Sequence, residues 1–225
     1  MEPDTTRSPS GRGFWEQRYR DEDPSGPPPA PNPAFTALAG ELSLVPPPSE
    51  GSRALELACG RGGDALWLAA AGWRVTAVDI AEHALSALAE RARRAGLGDR
   101  LDVERHDLAR SVPAPGSRDL VYANYFHTVV DLDRGAALRR AARSVADGGV
   151  FAVIDHGSSA PWSWEQRDDH PSAEDLWRSL GLGAGWTLLV CEGRSRLARG
   201  PHGGTATVVD TVVAARRRAG GGERA

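Results

Sequence analysis

The stretch from residue 53 to residue 79 constrains the fold more than any other part of the chain. A short apolar run, Arg53 to Leu57, leads into the turn Gly60-Arg61-Gly62-Gly63. A helix-forming segment with apolar residues at Leu66, Trp67 and Leu68 follows, and a second apolar run from Arg74 ends on Asp79. A strand, a glycine turn, a helix and a parallel strand form the crossover unit of an α/β sheet, because parallel neighbours need a long connection that covers one face. The glycines permit backbone conformations and close approaches that a β-carbon would forbid.

The same alternation continues downstream. The pattern predicts a helix over Asp64–Ala71, one over Ala81–Ala95 that stops at Gly96, a strand Leu101–Arg105, a strand Leu120–Ala123, a helix Arg134–Val145 and a strand Val150–Ile154. After a loop with Trp162 and Trp164, Ser172 caps a helix that runs through Leu180. Two last strands, Trp186–Glu192 and Thr205–Ala215, have no helix between them and form an antiparallel pair. The expected fold is α/β: a Rossmann-like seven-stranded sheet, mostly parallel with an antiparallel final strand, and helices on both faces. Residues 51–217 form the main domain. Ahead of it lie a polar segment 1–13, read as disordered, and a helical arm 14–50 with proline runs at Pro27–Pro29 and Pro46–Pro48. Residues 218–225 are read as a flexible tail. Trp15 and Tyr19, four apart, share one face of a short helix, where they either pack on the domain or close over a ligand.

Three acids sharpen the chemistry. Asp79 ends the second strand about twenty residues past the glycine loop, where a carboxylate can accept from both hydroxyls of a ribose. That position suits a nicotinamide dinucleotide and S-adenosylmethionine (SAM) equally, and Gly60, Gly62 and Ala65 satisfy the relaxed dinucleotide spacing. Glu56 separates the two, since it lies just before the loop, where a pyrophosphate would repel it and a cofactor bearing an ammonium and a sulfonium would not. Asp107 follows the third strand and can accept from an adenine amino group. The exit of the fourth strand carries Asn124, Tyr125, Phe126 and His127 on the side where such sheets bind ligands.

With these residues in view, the chain resembles class I SAM-dependent methyltransferases, and among them the bacterial tellurite-resistance and thiopurine methyltransferase-like proteins. The matching stretches are FWEQRY (14–19), LELACGRGG (55–63), VTAVDI (75–80), DLVYANYFH (119–127) and TATVVDTVVAARR (205–217). The resemblance implies that Glu56, Ala58, Gly60 and Gly62 line the methionine and ribose region. It places Asp79 and Ile80 at ribose and adenine, Asp107 and Leu108 at the adenine edge, and Asn124 at the methionyl part, with Trp15 and Tyr19 as the cap. His106 and Asn124 depart from the family pattern, which has small residues there.

Methyl transfer is an in-line displacement that needs alignment more than acid–base help. For an acceptor that arrives protonated, His127 or His156 is a candidate base, and Tyr125 or Asp155 can orient it. A thiol needs less help. The 27 arginines and 30 acids leave a net charge of −3, with no basic field for a nucleic acid backbone. The two cysteines, Cys59 and Cys191, have no metal-ligand spacing, and no apolar run reaches a membrane span of about 18 residues. The expectation is a cytoplasmic enzyme, monomer or homodimer, without a metal, that methylates a small molecule. A non-catalytic SAM-binding module and a protein methyltransferase stand as alternatives, with an NAD(P)-dependent oxidoreductase as an outsider.

Overall fold

The computed structural model describes residues 11–21, 23–113, 118–126, 132–163, 166–200 and 203–220. Seven strands form one sheet: β1 Arg53–Leu57, β2 Arg74–Asp79, β3 Leu101–Arg105, β4 Arg118–Asn124, β5 Val145–His156, β6 Trp186–Arg199 and β7 Thr205–Arg217. Their order is β3-β2-β1-β4-β5-β7-β6. The first five are mutually parallel and β7 runs antiparallel to both its neighbours, as the missing helix between the last two strands predicted. The order reverses between β1 and β4, so a crevice opens at their carboxyl ends.

The helices are α1 Gly11–Tyr19, α2 Pro33–Glu41, α3 Gly63–Ala70, α4 Glu82–Arg94, α5 Arg134–Ala142 and α6 Ala173–Leu180. Two apolar layers sandwich the sheet. One gathers Phe35, Leu38, Leu68, Trp73, Leu88 and Tyr122; the other gathers Leu55, Leu57, Val121, Leu138, Phe151 and Leu176. The central strands are buried on both faces, which is why they read as continuous apolar runs. Burying a side chain the size of Leu or Phe contributes roughly 1.5–3 kcal/mol, so these layers dominate stability. No helix among the described residues is long and apolar enough to cross a membrane.

Several boundaries differ from the sequence reading. Helix α1 begins at Gly11, inside the segment 1–13 read as disordered; residues 1–10 lie outside the described part. Helix α5 ends at Ala142 rather than Val145, because Val145 opens β5 by pairing with Arg118. The strand then kinks at Gly148 (φ 78°) and Gly149 before it re-pairs at Val150 with Leu120. The glycine pair that looked like a helix stop is a bulge inside a strand. The β6–β7 hairpin also runs well past Glu192, to Arg199 paired with Thr205. Trp162 packs over its far end, with Ala160, Ala198 and Val208, and an added β-carbon on Gly200 would come within 2.4 Å of the indole. Arg218 to Gly220 of the expected tail are placed, with Arg218 N–H donating to Gly185 O. Trp164 lies outside the described residues.

The arm folds back onto the sheet. Helix α2 is capped by Asn32, whose side chain accepts from Ala34 N–H, and starts with Pro33 at a position that needs no N–H. Phe35 stacks on Tyr122 with centroids 4.4 Å apart. Helix α1 buries no residue fully and is held on α4 by Glu16, which accepts from the Glu82 N–H at 3.0 Å and the His83 N–H at 3.3 Å. Its carboxylate also lies 2.7 Å from His83 Nδ1.

Candidate functional site: a cofactor cleft at the carboxyl edge

The glycine loop is a left-handed ladder. Ala58, Gly60 and Gly62 have φ of 52°, 49° and 75°. An alanine in that region carries strain, a mark of a backbone held for function rather than comfort. The glycines are demanded partly by the protein itself. An added β-carbon on Gly60 would meet the Tyr19 hydroxyl at 2.8 Å, one on Gly62 the Leu88 side chain at 2.3 Å, and one on Gly63 the Ala30 carbonyl at 2.5 Å. Arm and loop therefore close on each other.

Asp79 braces this loop. One carboxylate oxygen accepts from Gly60 N–H at 2.9 Å and the other from Ala81 N–H at 3.0 Å. Burial raises its pKa, and these N–H groups oppose the rise. Each oxygen retains a further lone pair, so bracing the loop leaves room to accept a hydroxyl.

Two hollows meet at the crevice. The first is lined by Asp79, Ile80, His106, Asp107, Leu108 and Phe126 among others, the second by Arg18, Asn32, Glu56, Gly60–Gly63, Asp64, Asn124 and Arg196. Trp15, Tyr19, Ala58 and Tyr125 line both. All eleven residues expected to hold a cofactor thus lie on one continuous cleft. Trp15 and Tyr19 stack with centroids 6.1 Å apart and form part of its wall, so the aromatic pair of α1 faces the cleft as well as packing.

The second hollow has an acidic floor. Glu56 is 3% exposed, and burial with the nearby charges of Asp64 and Asp79 drives its pKa well up. Asp64, absent from the sequence reading, is 8% exposed and accepts from Asn32 N–H at 2.6 Å and Asn124 Nδ2 at 2.9 Å. The buried Tyr122 hydroxyl lies beside Glu56 and opposes the rise in its pKa. Among the described residues, Glu56 Oε2, Asn124 Oδ1 and Asn32 Nδ2 are buried polar atoms of this hollow whose hydrogen bonding is incomplete. Such groups cost roughly 1–3 kcal/mol each unless a ligand or water completes them. Two acceptors and one donor around one hollow match the amino-acid end of a zwitterion: the acceptors suit an ammonium and the amide N–H suits a carboxylate. The fit to SAM therefore rests on this chain's own incompletely bonded atoms.

On the adenine side, Asp107 accepts from Ala109 N–H at 3.1 Å and lies 3.4 Å from Arg110 Nε, at the edge of the cleft. Leu108 is buried beside it. His106 is engaged with Ser111 and Glu104, at 3.1 and 3.0 Å.

The proposed catalytic residues are arranged differently. His127 lies outside the described residues. His156, at the end of β5, stacks against the Tyr125 ring at 4.1 Å and 17°, and is not among the residues lining either hollow. Tyr125 is held at φ 51°; its hydroxyl donates to Asp210 at 2.8 Å and accepts from Arg196 Nη2 at 3.0 Å. Burial and the Asp210 charge push its pKa up. Asp155 is paired with Arg134 at 2.6 Å, behind Phe126. Arg196 and Asp210 were not foreseen, because only the hairpin register, which pairs Arg194 with Asp210 and Arg196 with Val208, brings them to one face. Asp64 carried a readable signal: it is an acid in the first turn of the loop helix.

Residues 54–149 match the model of the methyltransferase domain. The 27-O-demethylrifamycin SV methyltransferase of Amycolatopsis mediterranei (strain S699) is 34% identical over 125 residues, 54% of this chain and 45% of that protein. The S-adenosyl-L-methionine-dependent Diels-Alderase iccD of Talaromyces variabilis is 34% identical over 124 residues, 52% of this chain and 39% of that one. The chain spans less than half the length of these curated relatives. A solved structure described by conversion of a disulfide bond into a thioacetal group during echinomycin biosynthesis superposes with a TM-score of 0.67 at 26% identity, covering 91% of this chain and 92% of that one. The match to a methyltransferase domain is thus confined to residues 54–149, whereas the likeness of fold to that solved structure extends over 91% of the chain.

Proposed function

We propose that the protein transfers a methyl group from SAM to a small-molecule acceptor, with a sulfur nucleophile as the first choice and oxygen as the second. The observation that carries the reading is the set of three incompletely bonded buried atoms, Asn32 Nδ2, Glu56 Oε2 and Asn124 Oδ1, on the floor of the cleft behind the glycine loop. Bound there, SAM supplies an electrophilic methyl on a sulfonium. The acceptor's lone pair forms the new bond as the electron pair of the old carbon–sulfur bond returns to sulfur, leaving S-adenosylhomocysteine; an acceptor proton, where there is one, passes to solvent or a base.

The residues divide this work. Glu56, Asp64, Asn32 and Asn124 hold the amino-acid end; Asp79 braces the loop and receives the ribose; Leu108 and Ile80 flank the base. Trp15, Tyr19 and Tyr125 shield the junction from water. Tyr125 is a poor base, with its hydroxyl already engaged by Asp210 and Arg196. That favours an acceptor needing little deprotonation, and a thiol fits. The solved relative described by disulfide-to-thioacetal conversion supports sulfur, and the rifamycin O-methyltransferase supports oxygen. The narrower likeness to tellurite-resistance and thiopurine enzymes rests on the quoted stretches alone and points the same way. The partner proposed is a small molecule, with no nucleic acid or membrane involved.

A second reading comes from the similarity to a SAM-dependent Diels-Alderase: a cofactor kept as a structural element while the cleft promotes a different reaction. A labelled-methyl screen across thiols, phenols and amines separates the two. Label appearing on a thiol or phenol supports methyl transfer; SAM binding with no label on any class favours the second reading, and no binding of SAM or S-adenosylhomocysteine sinks both.

A further inference from the structure

The four residues shared by the two hollows are Trp15, Tyr19, Ala58 and Tyr125, three of them aromatic. If the adenosyl end occupies one hollow and the amino-acid end the other, the atom joining them lies at this junction. In SAM that atom is the positively charged sulfur, and a cation beside electron-rich ring faces is attracted by the ring quadrupole, more so where water is excluded. Two of the rings come from the arm and stack on each other. The third, Tyr125, comes from the exit of β4 and is fixed from behind.

That fixing is unusually costly for a wall residue. Tyr125 adopts φ 51°, a strained value for a residue with a side chain. One ring face lies on His156. Its hydroxyl is clasped by Asp210, which is 0% exposed, and by Arg196, whose Nε and Nη2 also reach the same carboxylate at 2.5 and 3.3 Å. A buried ion pair contributes little net stability for the desolvation it requires, so geometry is the better account of why it is there. Its members come from β6 and β7: Arg196 lines the second hollow, and Asp210 stands behind Tyr125 outside both.

Resting on the functional reading above, we infer that Trp15, Tyr19 and Tyr125 form an aromatic cage for the sulfonium, and that Arg196 and Asp210 are positioning residues that hold Tyr125 in it. The cage distinguishes charged SAM from neutral S-adenosylhomocysteine, two ligands that differ by one methyl and one charge. Discrimination also aids turnover, since the product loses the attraction that held the substrate.

The test is calorimetric titration of the full chain with SAM and with S-adenosylhomocysteine. Tyr125→Leu should weaken SAM about tenfold and S-adenosylhomocysteine less than about threefold. Asp210→Asn and Arg196→Gln should shift the ratio in the same direction, and Tyr125→Phe, which keeps the ring, should lie between wild type and Tyr125→Leu. Arg196, partly exposed, provides the readout should the Asp210 variant fail to fold. Parallel losses for both ligands, or an unchanged ratio in Tyr125→Leu and Arg196→Gln, overturn the cage. Wild type that binds neither ligand overturns the functional reading itself, a result distinct from an unchanged ratio.

Discussion

At the scale of single residues, Asp79 illustrates how one carboxylate serves fold and site together. It accepts from the Gly60 N–H in the glycine turn and from the Ala81 N–H at the start of α4, and it lines the cleft. In Asp79→Asn one of those N–H groups would face an amide N–H instead of an acceptor. Hydrogen bonds to a charged group are worth about 1.5–3 kcal/mol, so S-adenosylhomocysteine affinity is expected to fall roughly ten- to a hundredfold. Titration calorimetry measures it, and an affinity within twofold of wild type would contradict the assignment. Asp79 was legible in the sequence because its spacing from the loop is fixed by one crossover helix. Asp210 was not, since it reads as one polar residue in an apolar strand and acquires meaning only when Arg196 and Tyr125 arrive from elsewhere in the chain.

At the scale of elements, α1 is the least anchored piece of the cleft. It buries no residue fully and depends on Glu16 at the start of α4, where an acid also complements the helix dipole. Burial pushes the Glu16 pKa up, but the hydrogen bonds from the His83 side chain and from the Glu82 and His83 N–H groups outweigh it and bring the value to about 2. A carboxyl lowered on folding stabilises fully above its ordinary value of 4.5, and that contribution is lost as pH falls towards about 2. Trp15 emission is therefore expected to change between about pH 4.5 and 2 as α1 loosens, ahead of global unfolding. In Glu16→Gln that step should vanish; a profile identical to wild type would remove Glu16 from the docking. The helix itself was foreseen from Trp15 and Tyr19. Its anchor was not, because a contact across more than sixty residues leaves no local periodicity. The same limit explains β5, where Gly148 and Gly149 resemble a helix stop in sequence and become a strand bulge only through pairing with β4.

At the scale of the whole molecule, the parallel half of the sheet was readable because its central strands are buried as near-continuous apolar runs and α4 has one buried and one solvated face, so periodicity and burial agree; only the edge strand β3, buried fully at Leu101 alone, is weakly marked. The cleft was readable as far as the strand ends define it. What escaped was the contribution of the hairpin after the sheet, whose Arg196 and Asp210 reach Tyr125 only through the fold; the arm before it was read as either packing or a cap, and its Trp15 and Tyr19 line the same cleft. That closure makes a quantitative claim about coupling. Ligand that binds only the folded chain stabilises it by about 2.7 kcal/mol at a hundred times its dissociation constant. In a domain of this size that corresponds to a rise of about 5–10 °C in Tm. Deleting residues 1–21 removes α1 with Trp15 and Tyr19 but, among the described residues, no fully buried side chain, so the unliganded Tm should barely move. If α1 supplies a factor of ten in affinity, the same concentration of S-adenosylhomocysteine then gives only about half the rise. Thermal melts of both chains with and without the ligand decide the matter. An undiminished rise would place α1 outside the site, whereas a large fall in the unliganded Tm would make it part of the core.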